Sequence, residues 1–152
     1  VESTGFFRAA EIEIAVELVS ERLSRGEASG YHFLFAQKSG RVLGYTCFGP
    51  IPGTLTGHDL YWIAVRSECR RQGVGSALLR LTERAVRRMG GRRLYADTSS
   101  QPLYEPTRSF YVRWGFIQEA LLRDYYAPGD HKAIYVKVLA PDPPFGRRPW
   151  RR

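Results

Sequence analysis

Ile12, Ala15, Val16, Val19 and Leu23 recur at three- and four-residue intervals between residues 9 and 25, the spacing of one face of an α-helix. Glu11 and Glu13 stand at the end where the helix dipole favours negative charge, and Gly26 supplies a stop. The pattern then changes to the two-residue period of strands. YHFLFAQ at 31–37 and RVLGYTCFG at 41–49 flank the turn residues Lys38, Ser39 and Gly40, a hairpin arrangement. Pro50, Pro52, Gly53 and Gly57 interrupt the chain before a third β-rich run, DLYWIAV at 59–65.

Helical spacing returns from Gly75 to Met89, where Leu78, Leu81, Ala85 and Met89 form the expected apolar stripe with Leu79 and Val86 beside it. Gly90 and Gly91 close that helix. RLYADT at 93–98 reads as a short strand, and TRSFYVRW at 107–114 as a short helix ended by Gly115. Strands at about 116–125 and 132–139 follow, separated by the turn Ala127-Pro128-Gly129-Asp130. Helix, three strands, helix, strand, helix and two strands make an α/β domain with a mixed sheet.

The length of 152 residues and an apolar fraction of 43% suit one packed domain, taken as residues 1–140, followed by a flexible Pro/Arg tail at 141–152. Cys47 and Cys69 make no disulfide framework, and no apolar run reaches membrane-spanning length. The first residues lack the basic start and apolar stretch of a secretory signal. The expectation is a cytoplasmic protein with no membrane partner. His32, His58 and His131 lie far apart without ligand spacing, so no metal is expected.

The net charge of +8 raises the possibility of a nucleic-acid module. Four arginines of the tail, with Asp142 as its only acid, account for three of those charges and leave +5 on the rest. The remaining arginines concentrate near a glycine-rich turn and the helix after it, where a small phosphorylated ligand is the simpler partner. Arg84, Arg87 and Arg88 read as a solvated helix face.

That turn lies in LYWIAVRSECRRQGVGSALLRLTE, where a strand passes through arginines to Gly73 and Gly75 and directly into a helix. Glycines let a ligand approach the backbone, and the first amides of a helix point outward with partial positive charge, so the turn fits a pyrophosphate. A nucleoside-triphosphate loop needs Lys and then Ser or Thr after its last glycine, but Ser76 and Ala77 follow Gly75. A dinucleotide fingerprint needs a small residue where Leu78 stands.

The pattern Arg70-x-x-Gly73-x-Gly75 after Ile63-Ala64-Val65 resembles the acetyl-CoA pyrophosphate loop of the GNAT superfamily of N-acetyltransferases. Two further segments carry the resemblance. Arg108-Ser109-Phe110-Tyr111-Val112-Arg113-Trp114-Gly115-Phe116 is similar to the family's late helix and its Tyr-x-x-x-Gly-Phe ending. The last strands, with Asp124-Tyr125-Tyr126 and Lys132-Ala133-Ile134-Tyr135-Val136, are similar to its terminal pair. The likeness spans about residues 8–140, and the chain resembles the ribosomal-protein alanine N-acetyltransferase-like branch. It implies a mixed, mostly antiparallel sheet with splayed central strands flanked by helices, here with the family's first strand missing or truncated. The family's asparagine at the start of the late helix is also replaced, by Gln101-Pro102-Leu103-Tyr104-Glu105-Pro106.

By that resemblance acetyl-CoA is the co-substrate. Ile63, Ala64 and Val65 would line its pantetheine arm, and Arg70, Arg71, Gln72, Gly73, Val74, Gly75 and Ser76 would cradle its pyrophosphate. Tyr111 takes the general-acid position, and a strand amide near Ile63 or Val65 would receive the oxyanion. Asp97 lies where ribosomal-protein acetyltransferases carry a glutamate and is the candidate base; it reads equally as a strand-end carboxylate capping the next turn. Asp59, Glu105 and the Asp124-Tyr125-Tyr126 patch are reserve candidates for the base. A base matters for lysine-like acceptors, whose deprotonation at pH 7 costs about 4.6 kcal/mol, against about 1 to 1.4 for an α-amine. Tyr104, Tyr125, Tyr126, Trp62 and Trp114 are candidates for an acceptor pocket.

The acceptor is an amine left open between protein N-terminus, lysine, polyamine, amino acid and antibiotic. A homodimer through an open last strand is a further expectation. The competing reading is a catalytically degenerate domain that binds acyl-CoA for regulation.

Overall fold

The structure, a computed structural model, describes residues 9–140. In chain order it holds α1 (Ala9–Arg25), β1 (His32–Lys38), β2 (Arg41–Pro50), β3 (Gly57–Val65), α2 (Val74–Arg88), β4 (Arg93–Ser99), α3 (Glu105–Arg113), β5 (Ile117–Ala127) and β6 (Asp130–Val138). This is the element order the sequence predicts, with boundaries moved by one or two residues at most ends. The expected tail and the place of a family first strand both fall outside the described residues. No helix of the described residues is long and apolar enough to cross a membrane.

The six strands form one sheet in the order β1-β2-β3-β4-β6-β5. Every neighbouring pair is antiparallel except β3 with β4. The last described strand, β6, is therefore interior, and the open edge on that side belongs to β5.

One face of the sheet carries the core. Phe48, Leu60, Leu94, Ala96, Ala133 and Tyr135 pack there against Leu79 and Val86 of α2 and Tyr111 of α3. The stripe that α2 buries differs from the one its hydropathy predicts. Leu78, Leu79, Thr82, Glu83 and Val86 are buried, while Leu81 and Met89 are 49% and 42% exposed. Two polar residues sit in the contact face because the sheet provides partners for them: Thr82 and Thr46 share a hydroxyl–hydroxyl hydrogen bond of 2.9 Å. Glu83 accepts from Lys137 of β6 at 2.6 Å and from Arg87 at 3.4 Å. A count of apolar residues alone turns the helix the wrong way by part of a turn.

On α1, Ala15 is buried, but Val16 and Leu23 of the predicted stripe are 60% and 81% exposed. Periodicity fixes which residues share a face and says nothing of what covers it.

The Thr46–Thr82 pair generates a stability prediction. Thr82→Val leaves one buried hydroxyl without a partner and should cost about 1–3 kcal/mol, whereas Thr46→Val with Thr82→Val should cost much less than twice that. Urea unfolding of the two variants checks it, and a double variant as weak as the sum of the singles would show that the hydroxyls do not act as a pair.

Candidate functional site

β3 and β4 are paired only at Gly57↔Arg93, His58↔Leu94 and Asp59↔Tyr95. Beyond Asp59 they part, and β4 bonds to none of residues 60–65. β4 instead follows β6 over its whole length, from Arg93↔Val138 to Ser99↔Lys132. Its far end is held to that side by several bonds. Ser99 donates to Asp130, Ser100 and His131 exchange hydrogen bonds of 2.8 and 2.9 Å, and the Arg108 guanidinium donates to the carbonyls of Ser99 and Gln101 at 2.7 and 2.9 Å.

β3 is bent at the same place. Trp62 lies opposite Cys47 and Leu60 opposite Phe48, so Tyr61 is an extra residue in its strand. A bulge of this kind re-aims the side chains that follow, and it explains why Leu60 and Ile63, three apart, both reach the core. Ile63, Ala64 and Val65 thus border the opening with one edge of their backbone on β2 and the other facing the gap, where a ligand can use amides that a sheet would otherwise consume.

The glycine-rich turn lies at the end of β3 on the core side. Ser67–Cys69 form one turn of 3-10 helix, Arg71 and Gly73 take left-handed backbone angles of φ 60 and 81, and α2 begins at Val74. No side chain caps that helix start. Its first amides, Val74, Gly75 and Ser76, lie in the turn that has no acceptor of its own within the helix. Gly73 is required by its φ. Gly75 is not: a Cβ there would meet only Val65 and Phe110, at 3.6 Å and beyond. Nothing inside the fold demands a glycine at 75, and without a side chain there the backbone of the helix start is open to approach from outside.

The turn is braced from behind. Gln72 donates to the Glu68 carbonyl at 2.8 Å, Arg41 pairs with Glu68 at 2.6 Å, and Arg66 donates to the Val42 carbonyl at 2.7 Å. These ties among Arg41, Arg66 and Glu68 carry no motif and are missed by sequence reasoning.

Tyr111 is in the core face behind the gap. It is 4% exposed and packs on Phe116 at 5.3 Å, Tyr135 at 5.8 Å and Phe110 at 5.9 Å between ring centres. Burial, and then the charge of Asp97, raise its phenol well above the usual value near 10, so it is fully protonated at neutral pH.

The carboxylates occupy the opposite face. Asp59 shares its face with Tyr95 through the parallel register, and Asp97 follows two residues along β4. Asp97 forms an ion pair with Lys132 of β6. It does not cap the turn after β4, a task that falls to Ser99, whose hydroxyl accepts from the Gln101 amide at 3.0 Å. Asp59 has its proton affinity pushed up to about 6 by burial and by the charge of Asp97, against the opposing charge of Lys132. The sequence placed Asp59 only among the reserves.

Tyr125 and Tyr126 adjoin this pair on a stretch of β5 that leaves the ladder after Leu122 and rejoins it at Ala127. Glu105, another reserve, is exposed and bound to Arg108 at 2.6 Å and Ser109 at 3.1 Å. Tyr104 is buried and donates to the Glu11 carboxylate at 3.0 Å, and Trp114 lies under the Arg80 guanidinium at 5.7 Å, so neither joins the carboxylate face. Cys47 is fully buried, which pushes its thiol up to about 12 and leaves it inert. No group of three metal-ligating side chains occurs among the described residues.

Residues 4–116 match the acetyltransferase (GNAT) family. An uncharacterized N-acetyltransferase of Methanocaldococcus jannaschii is 32% identical over 108 residues, which cover 69% of this chain and 65% of that protein's length. A solved structure from Desulfovibrio desulfuricans, assigned to the GNAT family, is 49% identical and superimposes with a TM-score of 0.89, covering 91% of this chain and 87% of its own. The ribosomal-protein-S18-alanine N-acetyltransferase of Escherichia coli has the same fold at 19% identity, with a TM-score of 0.67 over 87% of this chain and 81% of its own.

The raised proton affinity of Asp59 has a thermodynamic consequence. A carboxyl that holds its proton more tightly when folded adds stability below the unfolded value near 3.8 and loses that contribution as pH rises through about 6. Asp59→Asn should therefore melt higher than the parent at pH 8, with the difference closing toward pH 4. Melting curves across that range check the sign, and a variant that instead loses stability at pH 8 would show Asp59 to be a net stabilising anion.

Proposed function

The chain belongs to the acetyltransferase (GNAT) family, and we propose that it moves the acetyl group of acetyl-CoA onto a primary amine by direct attack. The observation that carries this reading is the gap between β3 and β4, with a bare helix start on one face of the sheet and a tuned carboxylate on the other. The diphosphate of the coenzyme lies against the amides of Val74, Gly75 and Ser76, with Arg70 and Arg71 adding charge. The pantetheine arm runs along the free backbone edge of Ile63, Ala64 and Val65, which brings the thioester into the gap. The amine comes from the face of Asp59 and Asp97.

In this scheme the nitrogen lone pair attacks the thioester carbon and the amine proton passes to Asp59, directly or through one water. A β3 amide in the gap stabilises the oxyanion that forms. The C–S bond then breaks, and the sulfur leaves as a thiol with the proton of Tyr111. Burial first, and then the charge of Asp97 against the opposing charge of Lys132, keep Asp59 from ionising too readily. The general base is therefore moved from Asp97 to Asp59, with Asp97 as a positioning residue. Both cysteines being free fits a reducing compartment.

Three variants test the assignment. Gly75→Ala should leave stability unchanged or raise it by up to about 1 kcal/mol, since alanine is the better helix former, yet weaken acetyl-CoA binding in calorimetry. Tight coenzyme binding by this variant would remove the helix start from the site. Tyr111→Phe should slow thiol release about a hundredfold or more with little change in coenzyme affinity. Asp59→Asn should abolish the rise of kcat/KM around pH 6 and lower its plateau by about the same factor. A parent protein that binds acetyl-CoA tightly but releases no thiol with any amine would instead favour a regulatory acyl-CoA-binding domain.

A further inference from the structure

The ammonium of Lys132 marks a cation seat on the open face of the sheet. It pairs with the Asp97 carboxylate and lies 4.8 Å from the centre of the Tyr125 ring. A carboxylate supplies charge and a ring face its negative quadrupole, which together match a partly desolvated ammonium. Tyr126 meets Tyr125 edge-on at 5.0 Å, and both rings stay open to solvent, at 42% and 55% exposure. On the other flank Tyr61 meets Tyr31 edge-on at 5.3 Å, close enough to Asp59 to feel its charge. A chain of net charge +8 thus gathers Asp59, Asp97 and the phenols of Tyr31, Tyr61, Tyr95, Tyr125 and Tyr126 near Lys132.

We infer that the acceptor is a molecule with at least two amino groups, one reacting beside Asp59 while the other, as an ammonium, takes the seat formed by Asp97 and the Tyr125 and Tyr126 rings. The inference rests on the acetyl-transfer reading above and deepens it. Lys132 already shows that the seat holds an ammonium, and its flexible four-carbon stem lets it yield the position to an incoming one. The second group also fixes the distance of the reacting nitrogen from the gap, which a monoamine lacks. A carboxylate beside the acceptor amine would meet Asp59 and Asp97 and be repelled.

The test compares 1,4-diaminobutane, butylamine, glutamate and an alanine-led peptide as acceptors, reading thiol release from acetyl-CoA. The diamine should exceed butylamine in kcat/KM by about tenfold or more, the scale of a carboxylate and a ring acting on one ammonium. Lys132→Met should lower KM for the diamine several-fold relative to that for butylamine, because it vacates the seat. Tyr125→Ala, at an exposed position, tests the same seat independently and should raise KM for the diamine alone. Equal rates for the two amines, or a preference for the peptide or for glutamate, would overturn the inference while leaving acetyl transfer intact. Absence of thiol release with every amine, from protein that binds acetyl-CoA, would overturn both.

Discussion

The functional geometry depends on the unequal loyalty of one strand. β4 can hydrogen-bond on two sides, yet it gives its full length to β6 and three residues to β3. Backbone groups left unpaired in a sheet interior are costly unless something else meets them. The gap persists because the exit of β4 is fastened to the β6 side by Ser99, Ser100 and the Arg108 guanidinium, and because the extra residue Tyr61 bends β3. What is lost in sheet bonding leaves the backbone edge of Ile63, Ala64 and Val65 unpaired on the β4 side.

The sheet also separates two environments that the chemistry needs apart. On the core face, burial keeps Tyr111 protonated and the start of α2 offers amides without a capping side chain. On the open face, burial and the charge of Asp97 push the proton affinity of Asp59 up to about 6, and Lys132 pairs with its neighbour Asp97. The proposed acid and base thus stand on opposite faces of the sheet, and the charge of Asp97 is nonetheless felt at Tyr111. In the proposed reaction, acceptor and coenzyme would reach the gap from opposite sides.

Polar residues inside the helix contact belong to the same economy of pairing. Thr82 and Glu83 of α2 are buried because Thr46 and Lys137 answer them across the sheet, and Lys137 also lies 5.9 Å from the centre of the Phe116 ring. These contacts fix the rotation of α2, and with it the direction in which the amides at its start point. Gly75, which the interior does not require, is left as the place where the backbone can be approached.

The amino-acid sequence by itself determined the element order, the turn from Arg70 to Ser76 and the Tyr111 position, because periodicity, glycine placement and a fixed motif spacing are local properties of the chain. The tertiary structure alone decided the surroundings of each carboxylate. Asp59 and Asp97 are 38 positions apart and look alike as sequence; register places them on one face, Lys132 pairs with Asp97, and burial raises the proton affinity of Asp59. It also decided which face α2 buries and where the sheet parts, since both follow from partners on other strands. A side chain's proton affinity and a strand's choice of neighbour are set by what lies beside them in space, which spacing along the chain does not encode.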